Sequence, residues 1–126
     1  MPLRQTNQRA AVRDAIEAAD RPLTPQEILG LAQVDLPGLG IATVYRTVKV
    51  GTEEGWLTPV ELPNGPTRYE PAGKKHHHHF ECTACNAVFE LEGCPTPPSK
   101  LRPMVPEGCE LTGHELILYG LCGSCR

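Results

Sequence analysis

The chain has 126 residues, a formal net charge of −3 at pH 7 and six cysteines. This length allows one ordinary domain or two very small ones, and a domain of about 60 residues is only marginally stabilised by its apolar core. The net charge excludes a uniformly basic nucleic-acid-binding protein, so any affinity for DNA has to come from local basic clusters and from a dimer.

The sequence contains no candidate for a membrane-embedded segment. Its apolar runs are far shorter than the roughly 20 residues that a span requires, and the N-terminal sequence lacks the apolar run of a signal peptide. We therefore expect a cytoplasmic protein. In that reducing compartment, paired cysteines are more often metal ligands or redox thiols than structural disulfides.

The first part of the chain has the pattern of successive helices. Apolar residues at helical spacing predict a first helix over residues 6–19, with Thr6 or Asn7 as its cap. The sequence TPQE at residues 24–27 is a capping box that starts a second helix. Both helices have one apolar face, so they are expected to pack against each other.

A third helix and a hairpin follow. The third helix is predicted over residues 43–54 and ends at Gly55. Strands over residues 56–62 and 67–70 flank the turn sequence PNGP at residues 63–66. Helix, short helix, turn, helix and hairpin together predict a winged helix. A plain three-helix bundle with a hairpin fits the pattern equally well.

The second half has a different pattern. Residues 80–83 and 87–92 predict a hairpin, residues 95–106 are too rich in proline for a long helix, and residues 110–120 predict another strand. The fold class is therefore α+β. The expected organisation is a helix-rich domain over residues 1–71, a hinge over residues 72–75 and a second domain over residues 76–126, which contains the histidine tract and all six cysteines.

Two Cys-x-x-Cys pairs give the strongest chemical signal. They are Cys82 with Cys85 and Cys122 with Cys125, and four thiolates can close a tetrahedral zinc site of the structural kind. The segment between the pairs, residues 86–121, is longer than the roughly 15–20 residues of a zinc ribbon, but a strand and a short helix fit within it. Redox thiols are the alternative.

The internal tract of four histidines, residues 76–79, is the second signal. Successive side chains of an extended segment point to opposite faces, so alternate histidines could belong to two separate metal sites. Imidazole with carboxylate suits zinc, iron, manganese or nickel. The alternative is a solvated polar loop. His76 and His78 then face one way and His77 and His79 the other, and each site needs further ligands; His114 suits one site and Glu70 the other.

The two remaining cysteines belong to no motif. A lone cysteine is most often a small buried residue, which is the ordinary interpretation of Cys94 and Cys109. Pro95 makes Cys94 a loop residue, and a thiol in a loop could reach a metal.

The start of the third helix holds candidate DNA contacts. In a helix-turn-helix protein the N-terminal part of the recognition helix meets base edges. Thr43 and Tyr45 could contact thymine methyls or phosphates, and Arg46 and Lys49 could reach phosphates. The alternative is a solvated helix face.

Taken together, these features resemble the ferric uptake regulator family. The resemblance runs over residues 6–125. The residues that carry it are Thr6-x-Gln8-Arg9, Ile41–Val48 (IATVYRTV), Arg68-Tyr69-Glu70, His76–His79 followed by Cys82-x-x-Cys85, and His114 before Tyr119-Gly120-x-Cys122-x-x-Cys125.

The resemblance implies a homodimeric repressor with a winged-helix domain and an α/β dimerisation domain. Such proteins bind palindromic operator DNA when loaded with regulatory metal and control metal-uptake genes. The implied roles are a structural zinc at Cys82, Cys85, Cys122 and Cys125, a regulatory metal at Glu70, His77 and His79, a second metal site at His76, His78 and His114, and DNA contacts from Arg9, Thr43, Tyr45, Arg46 and Lys49.

The sequence departs from the family pattern at both histidine sites. Pro22 stands where the family often supplies a histidine to the regulatory site, and Pro97 stands where an acid usually completes the second site. The second site is then weak, empty, or completed by Cys94 or water. The four-histidine tract resembles zinc uptake regulators, whereas Glu70 resembles the iron type. We expect zinc as the sensed metal, with iron or manganese as the alternative.

Two functions from other classes compete with this interpretation. A zinc enzyme would need a general base near the metal; Glu81 is close in sequence, but neither HExxH nor HxE…CxxC is present. A metal-storage or chaperone domain would not bind DNA, and the helix beginning ATVYR argues against it. We therefore expect no enzymatic activity and no small organic substrate.

Overall fold

A computed structural model describes residues 2–63 and 65–126, and for residues 2–6 the backbone alone. The chain divides into two compact units, Met1–Lys74 and Lys75–Arg126. The first unit contains helices α1 (Pro2–Ala19), α2 (Pro25–Ala32) and α3 (Ile41–Glu54) and strands β1 (Leu57–Val60) and β2 (Arg68–Pro71). The second contains strands β3 (His78–Cys82) and β4 (Val88–Leu91), helix α4 (Pro98–Leu101), a 3-10 turn (Arg102–Met104) and strand β5 (Ile117–Gly120).

The starts of the helices test the capping predictions. Helix α1 begins at Pro2, so the prediction that Thr6 or Asn7 caps it is wrong because both positions lie inside the helix; the Thr6 side chain is outside the described residues. Helix α2 has the predicted capping box: the Glu27 N–H donates to Thr24 Oγ1 at 3.1 Å, and the Thr24 N–H donates to Glu27 Oε1 at 2.9 Å. Each bond satisfies an N–H that the first turn leaves without a helical partner.

Helix α3 and the hairpin after it complete the winged helix. The helix starts two residues earlier than predicted, at Ile41, and ends at Gly55, whose φ of 89° is the left-handed conformation that glycine adopts without strain. Strands β1 and β2 pair antiparallel, and Leu23 adds a bridge to Tyr69 on the other edge of β2. The predicted turn, residues 63–66, includes Asn64, which lies outside the described residues.

The first unit is held by an apolar core where the three helices meet the hairpin. Gly51 allows α3 to approach that hairpin closely, because a Cβ at this position would lie 2.8 Å from Trp56 Cζ2 and 2.9 Å from Leu57 Cδ1. The buried residues of the core are Val12, Ile16, Leu23, Ile28, Ala32, Leu39, Val44, Val48 and Leu57.

The second unit is a three-stranded sheet in the order β4-β3-β5. Strand β3 pairs antiparallel with β4 and parallel with β5. The prediction of a short, irregular helix in the proline-rich segment is confirmed. The prediction of a strand over residues 110–120 is right only for its last four residues, because Ile117–Gly120 alone pair with β3. The segment before them follows an irregular course.

Candidate metal centres

The sheet of the second unit explains how two distant cysteine pairs come together. Because β3 and β5 run parallel, with Cys82 opposite Gly120, their carboxyl ends lie side by side. Each strand then enters a tight turn that carries one Cys-x-x-Cys pair. The Thr83 N–H donates to the Gly120 carbonyl at 2.8 Å, and the Cys125 N–H donates to the Cys122 carbonyl at 3.0 Å. The long segment between the pairs is the connection that such a parallel pairing requires.

The four sulfur atoms form one cluster in which all lie within 4.8 Å of one another. The Sγ atoms of Cys85 and Cys122 are 3.7 Å apart. Zinc–sulfur bonds of about 2.3 Å in a tetrahedron separate two sulfurs by roughly 3.8 Å, whereas a disulfide requires about 2.05 Å. All six cysteines are free thiols. The cluster therefore has the donor set and spacing of a closed, structural zinc site.

Backbone amides favour a thiolate in this cluster. The N–H groups of Cys85 and Cys122 point at Cys82 Sγ, with nitrogen–sulfur distances of 3.5 and 3.4 Å. These hydrogen bonds lower the pKa of Cys82 to about 6. Cys125 responds in the opposite direction, because its protonated thiol donates hydrogen bonds to the neighbouring sulfurs, first that of Cys122, and these bonds raise its pKa to about 12. A divalent cation would take the place of the protons that these sulfurs share.

The histidine tract divides between two faces, as its alternation predicts. The rings of His76 and His78 lie with their centroids 4.5 Å apart, and those of His77 and His79 lie 5.0 Å apart. His114, from the irregular segment before β5, joins the first pair, with its centroid 4.7 Å from that of His76. Extended backbone at the start of β3 produces this separation.

The first histidine face contains a fourth donor. The donor atoms of His76, His78, His114 and Cys94 all lie within 4.8 Å of one another. His76 Nε2 is 3.2 Å from His114 Nε2, and Cys94 Sγ is 3.1 Å from the same nitrogen. The ordinary interpretation of Cys94 as an isolated buried thiol is therefore wrong. Cys109 is exposed and belongs to no such cluster in the described part of the chain.

His78 is the buried member of this face. The Leu116 N–H donates to its Nδ1 at 3.1 Å, whereas its Nε2 is buried with no hydrogen-bond partner among the described residues. Burial first, and then the neighbouring His76 and His114, hold the pKa of His78 below 6.5. A cation at Nε2 would require the ring proton to move to Nδ1, exchanging the Leu116 hydrogen bond for a metal–nitrogen bond. A neutral ring is the form that binds metals.

The second histidine face gains an acid that the sequence did not reveal. His77 Nε2 lies 3.5 Å from Glu90 Oε1, and Glu90 is the cross-strand partner of His79. His77 Nδ1 lies 2.7 Å from the Lys75 carbonyl oxygen, which fixes the proton on Nδ1 and leaves Nε2 for a ligand. The register of β3 against β4 places Glu90 beside His77, and no sequence motif predicts this contact. Glu70, the other acid assigned to this site, is a buried residue of β2 in the first unit.

Helix α3 presents one polar face to solvent. Tyr45, Arg46 and Lys49 are exposed, whereas Val44 and Val48 are buried. Arg46 donates to Thr43 Oγ1 at 3.1 Å, and Gln26 donates to Tyr45 Oη at 3.2 Å, so both side chains are held by neighbours. A groove of about 130 Å³ beside this face is lined by Gln8, Arg9, Thr43, Arg46 and Thr47. Two guanidinium groups in one groove suit a phosphate.

The comparisons with known proteins agree with this arrangement. The model of the Ferric uptake regulator family matches residues 1–119. The chain belongs to this family. It is 33% identical over 127 residues to the ferric uptake regulation protein of Campylobacter jejuni, covering 98% of this chain and 80% of that protein.

Solved structures of ferric uptake regulator relatives show the same fold. The Helicobacter pylori ferric uptake regulator, described as having three functional metal-binding sites, has a TM-score of 0.73 and 25% identity, with 94% of this chain and 79% of that chain covered. A zinc-bound manganese uptake regulator has a TM-score of 0.80 and 26% identity, with 91% and 87% covered. The predicted α+β architecture, a winged helix followed by an α/β dimerisation domain, is confirmed.

Family membership decides between the competing functional classes. Members of the ferric uptake regulator family are metal-responsive transcription regulators that bind DNA as dimers, and they are not enzymes. The metalloenzyme interpretation is thereby excluded. Among the described residues, no helix combines the length and apolar character that crossing a membrane demands.

Proposed function

We propose that this protein is a zinc-responsive repressor, which binds palindromic operator DNA in the cytoplasm as a metal-loaded homodimer and controls metal-uptake genes. The observation that carries the proposal is the division of the histidine tract between two donor clusters beside a separate cysteine cluster. A closed four-thiolate site suits a permanent structural ion. The histidine clusters contain exchangeable nitrogen donors, which suit a metal that is sensed.

The proposed regulatory site consists of Glu70, His77 and His79, as the family resemblance implies. Glu90 adds a carboxylate that compensates for Pro22, which stands where the family often has a histidine. A divalent cation bound by these donors would balance the negative charge of the carboxylates. Glu70 belongs to the first unit and the histidines to the second, so binding by all three would restrict the arrangement of the two units. Restriction to the operator-binding arrangement would shift the population towards the form with high DNA affinity.

The proposed second site consists of His76, His78 and His114 within the second unit. Its donors come from the start of β3 and from the irregular segment before β5. Binding here would fasten that segment to the sheet. A site of this kind stabilises the dimerisation domain, so its occupancy adjusts the concentration of competent dimer.

The proposed organisation is a DNA-binding domain over residues 1–71, a hinge over residues 72–75 and a dimerisation domain over residues 76–126. Exposed apolar side chains of the second unit support a homodimer, since large apolar residues at a surface mark contact sites. These residues are Phe89, Met104, Leu118, Tyr119 and Leu121.

The proposed DNA contacts lie on the exposed face of α3 and the groove beside it. Tyr45 and Thr43 would reach bases or phosphates in the major groove, and Arg9, Arg46 and Lys49 would neutralise phosphates. The replacement Arg46→Ala should weaken operator binding and make it less dependent on salt. Glu53→Ala, farther along the same helix, provides the control.

Iron or manganese is the second candidate for the sensed metal. The carboxylates of Glu70 and Glu90 are hard oxygen donors, which suit these ions better than a sulfur donor would. The named relative from Campylobacter jejuni is a ferric uptake regulation protein, which favours the same candidate.

One experiment tests the function and separates the two metals. Binding of the full chain to a palindromic, AT-rich duplex would be measured in titrations with zinc, ferrous iron and manganese. We expect zinc to raise operator affinity by roughly 5–150-fold, the usual range for coupling between two sites. The double replacement of His77 and His79 by alanine should abolish this increase. Metal dependence that survives in the double variant would contradict the assignment of the regulatory site.

A further inference from the structure

The cluster around His114 contains a sulfur atom at the distance of a ligand partner. Cys94 Sγ lies 3.1 Å from His114 Nε2, and His76 Nε2 lies 3.2 Å from that same nitrogen. Zinc–ligand bonds of about 2.0–2.3 Å in a tetrahedron separate two nitrogens by roughly 3.4 Å and a nitrogen from a sulfur by roughly 3.6 Å. The observed sulfur–nitrogen and nitrogen–nitrogen distances differ from these tetrahedral separations by about 0.5 Å or less.

We propose that Cys94 is the fourth ligand of the second site, which is therefore a closed site of three imidazoles and one thiolate that prefers zinc to iron and manganese. The inference rests on the proposed second metal site and names the donor that completes it. The acid expected from the family resemblance is replaced by Pro97, whose side chain has no donor atom. Cys94 occupies the loop three residues earlier and supplies the missing group.

The local structure positions the thiol for this role. Cys94 follows Gly93, which has a positive φ of 75°, and precedes Pro95, so the chain turns sharply between β4 and α4. The thiol donates to the Thr96 carbonyl at 3.3 Å. When a divalent cation binds, the thiol proton leaves to solvent and the sulfur exchanges this hydrogen bond for a metal–sulfur bond. Four protein donors then fill a tetrahedron.

The choice of donor determines which metal the site retains. Thiolate sulfur is a soft ligand that favours zinc, whereas iron and manganese in open nitrogen and oxygen sites accept carboxylates and water. Four donors also match the tetrahedral coordination of zinc and leave no position for the additional ligands of an octahedral ion. The replacement of an acid by a cysteine therefore changes the selectivity of this site.

Cobalt(II) serves as the probe, because a thiolate bound to cobalt gives a near-ultraviolet charge-transfer absorption that imidazole ligands do not give. The parent protein for this test is the full chain with His77→Ala and His79→Ala, which removes the regulatory site, and with zinc in the cysteine cluster. It would be titrated with cobalt, and bound cobalt and retained zinc would be counted by elemental analysis. The parent protein would be compared with Cys94→Ser and with Cys109→Ser, which removes an exposed thiol outside the cluster. A parallel competition with a zinc chelator would measure affinity.

We expect the thiolate band in the parent and in Cys109→Ser, and we expect Cys94→Ser to lose it. Cys94→Ser should also bind zinc at least about tenfold more weakly, because replacing even a residue that only hydrogen-bonds to a ligand lowers metal affinity by roughly 10–100-fold. Cys94→Asp should restore binding without the band and shift the preference towards manganese. Equal bands in Cys94→Ser and Cys109→Ser would overturn the proposal. Cobalt bound to the parent without a thiolate band would also overturn it and leave a three-histidine site. No cobalt bound beyond the cysteine zinc would refute the second site itself.

Discussion

The two units of this chain are stabilised by different means. The first unit buries nine apolar residues in one cluster between its helices and hairpin. In the described part of the second unit, the buried apolar residues are Cys82 and Val88, while His78 and Glu81 are buried polar residues. A unit of this size with so small a core needs a metal or a partner chain. We therefore expect the donor clusters of the second unit to contribute to its stability when they hold metal ions.

The largest expected effect comes from breaking the cysteine cluster. Cys122→Ala removes one of the four sulfurs of the proposed zinc site, and structural zinc contributes on the order of 10 kcal/mol in zinc-finger peptides. We expect the second unit to lose its cooperative thermal transition and its zinc, while the helical signal of the first unit survives. Cys109→Ala is the matched control and should change neither property. A zinc content equal to that of the parent in Cys122→Ala would contradict the structural role of the cluster.

A replacement in the apolar core tests how the first unit is stabilised. Gly51→Ala places a methyl group 2.8 Å from Trp56 and 2.9 Å from Leu57, and overpacking of this kind costs about 2–3 kcal/mol. The first unit should unfold at lower denaturant concentration, with unchanged zinc content. Gly30→Ala is the control on α2, since a Cβ there meets nothing within 4 Å, and it should stabilise the unit by about 0.5–1 kcal/mol. Equal stability in both variants would refute the close approach.

A smaller effect should follow from removing a carboxylate that joins α2 to the hairpin. Glu27 completes the capping box and accepts from Arg68 at 2.8 Å, and the Arg68 side chain is only 3% exposed. Glu27→Ala should reduce the stability of the first unit by about 1–2 kcal/mol. Glu17→Ala breaks a half-exposed pair with Arg13 and should cost less than about 0.5 kcal/mol. Denaturant midpoints compare the two; indistinguishable values would count against the buried pair.

The smallest effect concerns the pH dependence of the second unit when only the cysteine cluster holds metal. The folded pKa of His78 is lower than the unfolded value of 6.5, chiefly because of burial. The unfolded chain therefore takes up a proton first as pH falls, so stability is fully present above pH 6.5 and declines below it. His78→Gln should flatten this decline. Melting temperatures measured just above pH 6.5 and about one unit below it provide the test, and an unchanged slope would contradict the contribution of this residue.

Local sequence signals determined several elements of both units. The capping box at Thr24 and Glu27 and the glycine end of α3 are decided by a few neighbouring residues, and both are present. The alternation of the tract 76–79 follows from the geometry of any extended strand. Predictions failed where pairing partners decide the outcome. The strand predicted over residues 110–120 is reduced to its last four residues because only these have a partner on β3.

The donor clusters also combine features that the local sequence determines with features that depend on strand pairing. The sequence by itself predicted the four-cysteine set, because each Cys-x-x-Cys pair can place two thiolates on one ion, and the parallel pairing of β3 and β5 brings the two pairs together. Only the tertiary structure decided that Glu90 lies beside His77 and that Cys94 lies beside His114. The first contact depends on the register of β3 against β4, and the second on the course of two irregular segments, one after β4 and one before β5. The spacing of these residues along the chain does not predict either contact, because both contacts join residues that approach each other only when the strands have paired.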